Sequence, residues 1–242
     1  MINHQPIFLL QRPQLPENIG AVARAMGNFG FKSLRIIDPV CHILDPKAIA
    51  TAAGAEEILE KASVYETLEE ASADLHWLYG TCATKRHLIK EYLPIREAAN
   101  RISGQILSGK IGILFGPERT GITNEHLARC HGIIQIPVNA EFSSMNLAQA
   151  CVIIAYELSS YLDQAQATMG YGETCPASQQ QLQAFFNFLE TTLDAVNYWR
   201  VPGKKPLMRQ NLENVFTRLQ ATEQDLRSLW GMIDLLSKHR SN

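Results

Sequence analysis

The segment Glu141-Phe-Ser-Ser-Met-Asn-Leu-Ala-Gln-Ala150 places short polar side chains directly before an apolar run that continues as Cys151-Val-Ile-Ile-Ala-Tyr156. The apolar run predicts a buried helix whose N-terminal turn carries Ser143, Ser144 and Asn146. A helix N-terminus has unpaired backbone N–H groups, and these side chains add hydrogen-bonding atoms at the same point. The pattern indicates either an ordinary helix cap or a place where a ligand binds.

Two other segments place polar and glycine residues where an apolar strand is followed by a helix. Ile111 to Phe115 is a predicted strand that leads into the turn Gly116-Pro-Glu-Arg-Thr-Gly121, before a helix that starts near Thr123. Near the N-terminus, Ile7 to Gln11 is a predicted strand, and a short loop connects it to the helical pattern Ile19-Gly-Ala-Val-Ala-Arg-Ala-Met26. Sites in open α/β sheets lie where strands end and helices begin. The three segments therefore predict one common site.

The chain is predicted to divide near residue 165. Before that point, strand candidates alternate with helical segments, which favours an α/β fold with a mostly parallel sheet and helices on both faces. Glycine and proline predict a linker over 166–176, and 177–242 is predicted to be a small helical C-terminal extension, with start signals at Ser178 and Thr222. The strand candidates are Ile7 to Gln11, Ser33 to Ile37, Leu75 to Gly80, Ile111 to Phe115 and Gly132 to Ile136.

The three polar segments resemble the three motifs of the SpoU or TrmH branch of the SPOUT RNA methyltransferases. The first motif is similar to Asn18-Ile-Gly20 followed by Arg24, the second to Phe115-Gly-Pro-Glu118 with Gly121-Ile-Thr-Asn124, and the third to Ser143-Ser-Met-Asn146-Leu-Ala. Their order and separation also match. Chain length, the C-terminal helices and Gly80-Thr-Cys-Ala-Thr-Lys-Arg86 look most like the TrmJ-type tRNA 2′-O-methyltransferases.

The resemblance implies a deep trefoil knot in the last part of the α/β domain, an exception to the rule that chains do not thread their own loops. It also implies a cleft that binds S-adenosylmethionine mainly through backbone groups; the sequence itself requires no metal. A homodimer is implied as well, in which the RNA site combines elements of two subunits. The cofactor-binding positions that the resemblance indicates are Thr81, Cys82, Ala83, Gly116, Ile136, Ser143, Ser144 and Met145.

The family pattern places Arg24 at the acceptor hydroxyl and indicates catalytic roles for Asn18, Ser144 and Asn146. It indicates substrate binding for Arg24, Glu118 and Arg86. Other roles stay open for each: Asn18 and Asn146 could cap helices, Glu118 could form a solvated pair with its neighbour Arg119, and Arg86 could be an ordinary exposed charge.

The formal net charge of −2 is unevenly distributed. Residues 130–199 contain no Lys or Arg and six acids, whereas residues 200–242 contain eight bases and four acids. This asymmetry predicts a basic face in the tail that could bind RNA, although solvated helix faces produce similar counts. Aromatic residues of the tail could stack on bases or pack a helical core.

Several classes of protein and site lose support. The five cysteines are widely spaced without Cys-x-x-Cys, so a disulfide framework or structural zinc site is not expected. His126, Cys130 and His131 imitate metal-ligand spacing, but no fourth ligand is indicated. G-x-G-x-x-G and Walker A motifs do not occur. No apolar run is long enough to cross a bilayer, and the N-terminus lacks the pattern of a signal peptide, so a cytoplasmic location without membrane association is expected.

The predicted function is S-adenosylmethionine-dependent methylation of a ribose 2′-hydroxyl of tRNA. The target that the resemblance implies is nucleotide 32 of the anticodon loop, giving Cm or Um. The alternatives are a non-catalytic RNA-binding or regulatory protein, a 2′-O-methyltransferase acting on another RNA, and a small-molecule methyltransferase. The filled motif positions argue against the first alternative, and the basic tail argues against the last.

Overall fold

A parallel β-sheet forms the centre of the protein. The computed structural model describes residues 5–83, 88–139, 141–162, 171, 174–199 and 201–239. Within these ranges the sheet has seven strands in the order β3-β2-β1-β6-β4-β7-β5, and every strand pairing is parallel. The strands are β1 (Ile7–Gln11), β2 (Leu34–Ile37), β3 (Ser63–Tyr65), β4 (Trp77–Thr81), β5 (Tyr92–Pro94), β6 (Ile111–Phe115) and β7 (Gly132–Gln135).

The predicted parallel sheet is confirmed, and the five predicted strands are present with ends shifted by at most two residues. Strands β3 and β5 were not predicted. Each has only three residues and lies at an edge of the sheet. An edge strand of this length is too short to show an alternating pattern, and β5 ends in Pro94, which has no N–H to donate to a ladder.

Helices cover both faces of the sheet, as predicted. Alternate residues of a strand point to opposite faces, and in β1 the side chains of Phe8 and Leu10 join one apolar core whereas Leu9 joins the other. Helices α1 and α7 pack on the first face and α6 on the second. The helices are α1 (Pro16–Asn28), α2 (Pro46–Ala52), α3 (Glu56–Glu60), α4 (Leu68–Ser72), α5 (Ile95–Gln105), α6 (Asn124–Ala128), α7 (Leu147–Leu162), α8 (Gln179–Ala195), α9 (Lys205–Arg218) and α10 (Glu223–His239).

Helix starts follow the capping signals in most cases. Thr123 caps α6, and Ser178 with Gln181 forms the predicted capping box of α8. Thr222 precedes α10, and its hydroxyl accepts a hydrogen bond from the Asp225 N–H at 3.2 Å. The prediction for α7 was wrong in one detail. This helix begins at Leu147, so Ser143 and Ser144 lie in the preceding loop.

Helices α8, α9 and α10 surround an apolar cluster of their own. Phe185 is fully buried there with its ring 5.0 Å from that of Phe216, and the rings of Phe188 and Trp230 stack at 4.5 Å. These aromatic side chains therefore pack a helical core. The extension also contacts the α/β part, because the Asn214 Nδ2 donates to the Ile89 carbonyl at 2.7 Å. The predicted boundary at 165 and most of the linker 166–176 lie outside the described residues.

A buried histidine makes folding sensitive to acid. His131 lies in the core, and its Nδ1 accepts a hydrogen bond from the Leu78 N–H at 3.1 Å. Burial, with the nearby Lys90 charge as a smaller contribution, lowers the pKa of His131 from 6.5 to about 3. The folded state therefore favours the neutral ring.

We expect the free energy of unfolding to fall as pH drops from 6.5 towards 3, by up to about 1.4 kcal/mol per pH unit from this residue, because the unfolded state takes up the proton first. Urea unfolding at pH 7, 6 and 5 measures this pH dependence of the free energy of unfolding. His131→Gln, which keeps a hydrogen-bond acceptor, should show a shallower slope. If the free energy of unfolding depends equally on pH in the wild type and in His131→Gln, His131 is not the group responsible.

Candidate functional site

The three polar segments meet at the carboxyl ends of strands β1, β6 and β7. Residues 12–18 follow β1, residues 116–123 follow β6, and residues 136–146 follow β7. In a parallel sheet these ends lie along the same edge, so segments that are far apart in sequence become neighbours. The predicted common location is therefore present in the structure.

A chain of hydrogen bonds joins one residue from each segment. The Asn18 Nδ2 donates to Glu118 Oε1 at 2.9 Å, and the Asn146 Nδ2 donates to Asn18 Oδ1 at 2.9 Å. Glu118 Oε2 also accepts from the Gln14 N–H at 3.2 Å. Asn18 is 8% exposed, so its amide is held by these partners away from bulk water. We call Asn18, Glu118 and Asn146 the motif network.

The structure shows whether each asparagine caps a helix or belongs to the motif network. Asn18 does not cap a helix: it lies inside α1, which starts at Pro16 with Leu15 as the N-cap residue, so its predicted place in the preceding loop was wrong. Proline at the first helical position starts the helix early because it needs no N–H partner. Asn146 has both roles. Its Oδ1 caps α7 by accepting from the Ala148 N–H at 2.8 Å, and its Nδ2 donates to Asn18 in the motif network.

Beside the motif network lies a cavity of about 300 Å³. Glu118 lines it, together with apolar side chains that include Ile134 and Leu147. This volume is at the lower end of the range for small-molecule sites. All eight positions that the family resemblance indicated for the cofactor line this one cavity, namely Thr81, Cys82, Ala83, Gly116, Ile136, Ser143, Ser144 and Met145.

The backbone of the 116–121 loop shapes one wall of the cavity. A Cβ at Gly116 would lie 2.4 Å from the Ile122 nitrogen, and Gly121 has a φ of +64° that favours glycine. The Gly121 N–H donates to the Pro117 carbonyl at 2.9 Å, which closes the loop on itself. Apolar side chains and loop backbone together suit a ligand with an aromatic ring and hydrogen-bonding edges. These residues fit S-adenosylmethionine.

Arg24 does not line this cavity. It lies six residues after Asn18 on α1, a rise of about 9 Å, and its exposed side chain lines a separate surface depression of about 350 Å³. Within the ranges given above, Arg24 forms no hydrogen bond or ion pair. A single chain thus separates the predicted catalytic arginine from the predicted cofactor positions. Arg86 lies outside the described residues.

The histidines near α6 have structural partners. His126 Nδ1 lies 2.6 Å from Gln11 Nε2, and the Cys130 thiol is buried and donates to the His126 carbonyl at 3.3 Å. In the described part of the chain, no group of three or more His, Cys, Asp or Glu side chains is arranged to hold a metal ion. None of the five cysteines, all of which lie in the described ranges, forms a disulfide. No helix in the described ranges has the length and apolar character to span a membrane.

The tail is less basic at its surface than its composition indicates. Lys205 pairs with Glu190 and Asp194, with Nζ–O distances of 3.3 and 2.8 Å. Arg209 pairs with Glu190 and Glu213, and Lys238 pairs with Asp234. Two of these acids come from the base-free part of the sequence, so folding brings the opposite charges together. The predicted basic face is therefore reduced by pairing.

The backbone of Gln14 and the side chain of Gln11 also belong to this end of the sheet, and neither was predicted. Gln14 acts through its N–H group, which every residue except proline carries. Gln11 is the last residue of β1, where a polar side chain ending an apolar strand was an available signal.

Comparison with known proteins agrees with the geometry. Residues 5–156 match the model of the SpoU rRNA Methylase family. The tRNA (cytidine/uridine-2′-O-)-methyltransferase TrmJ of Yersinia pestis (strain Pestoides F) is 36% identical over 225 residues, which cover 91% of this chain and 87% of that protein. The crystal structure of TrmJ from Z. mobilis ZM4 superposes with a TM-score of 0.86 at 38% identity, covering 96% of this chain and 99% of that chain.

A more distant structure is that of the SpoU methyltransferase AviRb from Streptomyces viridochromogenes in complex with the cofactor AdoMet. Its TM-score is 0.53 at 20% identity, over 67% of this chain and 63% of that chain, which shows a shared fold. The family match covers well over half of the chain, and the protein therefore belongs to the SpoU methylase family. Within that family it is similar to TrmJ over most of its length.

We expect the motif network to act as a unit. Glu118→Ala and Asn18→Ala should each lower the rate of methyl transfer by roughly 10- to 100-fold. Glu118→Ala leaves the buried Asn18 Nδ2 without its acceptor, Asn18→Ala removes the link between Glu118 and Asn146, and either change lets the loops separate. The double variant should be little worse than the more damaged single variant, since the same interaction is lost. Single-turnover kinetics measure this, with the exposed Glu125→Ala as control. If the loss of rate in the double variant equals the product of the two single losses, Asn18 and Glu118 do not act as a unit.

Proposed function

We propose that the protein transfers the methyl group of S-adenosylmethionine to a ribose 2′-hydroxyl of tRNA. The observation that carries this proposal is the single cavity lined by all eight indicated cofactor positions and bordered by the motif network. Relatives named tRNA (cytidine/uridine-2′-O-)-methyltransferase TrmJ support the substrate. By resemblance the target is nucleotide 32 of the anticodon loop.

The cofactor would be held by backbone groups at 81–83, 116 and 143–145, between the apolar side chains of Ile134, Ile136 and Leu147. When bound it supplies an activated methyl group on a sulfonium. The 116–121 loop and the 143–145 segment both line its pocket. The motif network ties the first loop, and Asn146 beside the second segment, to α1. Methyl transfer needs donor and acceptor in line, so this rigid positioning supplies much of the rate.

Arg24 acts on the acceptor. A ribose hydroxyl is a weak nucleophile and must lose its proton as it attacks. Arginine is effectively always protonated, so it is unsuited to remove that proton itself. Arg24 instead clamps the target phosphate and stabilises the developing alkoxide, while a phosphate oxygen or water receives the proton.

A second copy of the chain completes the site. Arg24 and the cofactor cavity are apart in one chain, so the arginine of one subunit serves the cavity of its partner. Helix α7 and the loop before it present apolar side chains to solvent, with Phe142, Tyr156 and Val152 exposed by 74, 57 and 40%. An exposed apolar surface beside a site suits association with another protein surface. We therefore propose that the protein acts as a homodimer.

We also propose a domain division, which the separate apolar cluster of α8, α9 and α10 supports. Residues 1–165 form the methyltransferase domain, which includes the implied trefoil knot, 166–176 form the linker, and 177–242 form the helical extension whose own core is described above. We place the protein in the cytoplasm, where tRNA is modified. Loops and extension would select the tRNA.

Transfer of a labelled methyl group from S-adenosylmethionine to unmodified total tRNA tests the function. Nuclease digestion should place the label in a 2′-O-methylated nucleotide, and sequencing of the labelled tRNA should place it at position 32. Label at another position would correct the target alone. Cofactor binding without transfer to any tRNA would favour the non-catalytic alternative, and transfer to ribosomal RNA would favour another RNA substrate.

A further inference from the structure

The depression that contains Arg24 holds two more cationic side chains. Lys32, just before β2, and Lys61, just before β3, line it together with Arg24. Residues at the end of α1 and in the turn between α2 and α3 form the walls. It shares no lining residue with the cofactor cavity. We call this depression the basic groove.

The charges of the basic groove are not balanced by its own acids. Glu57 is the acidic side chain among its lining residues, and it pairs with Lys61 one helical turn away. That pair is exposed on both sides, 71% for Lys61 and 68% for Glu57, and exposed pairs are weak and readily exchanged. Within the described residues, Arg24 and Lys32 have no ion pair. The groove therefore carries a formal excess of two positive charges.

We propose that the basic groove binds the backbone phosphates of tRNA that flank the methylated nucleotide, with Lys32 and Lys61 as substrate-positioning residues. The inference rests on the proposed function of Arg24 at the target phosphate. A strand whose target phosphate lies on Arg24 continues through the same groove, where neighbouring phosphates meet the two lysines. Lysine binds phosphate as a point charge without reading bases. Lys61 exchanges Glu57 for phosphate when RNA binds.

The test compares Lys32→Ala and Lys61→Ala with Lys47→Ala. Lys47 is a matched control because it is an exposed lysine, 69% accessible, with an acidic partner, Glu17, and it does not line the groove. Each groove variant should raise the KM for tRNA about three- to tenfold with little change in kcat, and should lower the slope of log affinity against log salt by roughly one. Lys32→Arg should keep wild-type values.

Removing the negative charge of Glu57 should strengthen tRNA binding, the opposite of removing a lysine. Glu57→Gln keeps the size of the side chain but removes the ion pair with Lys61, whose charge is then available to phosphate. The affinity for tRNA should therefore rise by about two- to fivefold at low salt. General damage to the fold would weaken binding and so cannot mimic this result. The affinity for S-adenosylmethionine, measured by calorimetry, should be the same in all variants.

The outcomes separate this inference from the proposed function. If the wild-type protein methylates tRNA while both lysine variants match Lys47→Ala in KM and salt slope, the groove proposal is overturned and the function stands. If the wild-type protein transfers no methyl group to tRNA, the function fails, and equilibrium binding of tRNA still decides the groove. Loss of affinity in the groove variants supports it, and unchanged affinity overturns it.

Discussion

Replacing Arg24 with alanine is expected to lower the rate of methyl transfer by about 10²-fold or more, because in the proposed mechanism this guanidinium clamps the target phosphate and stabilises the developing charge. The side chain is exposed and lines the basic groove, so its removal should change the free energy of unfolding by less than about 0.5 kcal/mol. Single-turnover transfer to tRNA measures the rate, and calorimetry should show unchanged cofactor affinity.

Two control variants make this result specific. Arg24→Lys keeps the charge but not the planar guanidinium, so its rate should lie between those of alanine and wild type. Arg96→Ala removes another exposed arginine, on α5, and should leave the rate unchanged. Transfer at near wild-type rate by Arg24→Ala would rule out the role given to this residue.

The Gly116→Ala variant is expected to lose measurable binding of S-adenosylmethionine, which we put at about 10²-fold or more in affinity. The new Cβ would lie 2.4 Å from the Ile122 nitrogen and 2.5 Å from the Gly121 carbonyl carbon. Both contacts are with backbone, so the 116–121 loop must open, and overpacking of this kind costs about 1–3 kcal/mol. Calorimetric titration with the cofactor and thermal unfolding measure the two effects.

Gly231→Ala is the matched control, because a Cβ at this position on α10 meets nothing within 4 Å. It should bind the cofactor normally and be slightly more stable, by up to about 1 kcal/mol, since alanine favours helix more than glycine does. If Gly116→Ala binds the cofactor like Gly231→Ala, the cavity does not hold it in the way proposed.

Mixing the two inactive variants tests whether the site is shared between subunits. A heterodimer of Arg24→Ala and Gly116→Ala contains one intact cavity and one intact Arg24, on different chains. If each arginine serves the partner's cavity, random mixing after denaturation should restore roughly a quarter of wild-type activity. If each arginine serves its own cavity, mixing restores nothing.

Much of the α/β fold could be predicted because its signals are local. The apolar runs of β1 and β6 mark their strands at the observed ends, and Thr123 and Ser178 mark helix starts through side-chain hydrogen bonds within one turn. The short edge strands β3 and β5 depend on pairing with a neighbour, so three residues gave no periodic signal.

The residue types of the site were also visible in the sequence, since glycine, serine and asparagine at the strand ends indicate loops that can bind a ligand. Their partners were not visible. Asn18 was expected outside α1, and the tertiary structure places it within the helix and against Glu118, one hundred positions away. The basic face predicted for the tail is also reduced in the structure, because Glu190 and Asp194 pair with Lys205 only when α8 and α9 pack.

The five longer strands, several helix starts, the three motif segments and the resemblance to a family could be read from local patterns in the sequence. Contacts between distant segments, which exist only in the folded protein, join Asn18, Glu118 and Asn146 in one network. They also gather eight dispersed positions around one cavity and leave Arg24 in a different groove. The physical reason is that capping and periodicity act within a few residues, whereas the parallel sheet brings distant loops together at one edge.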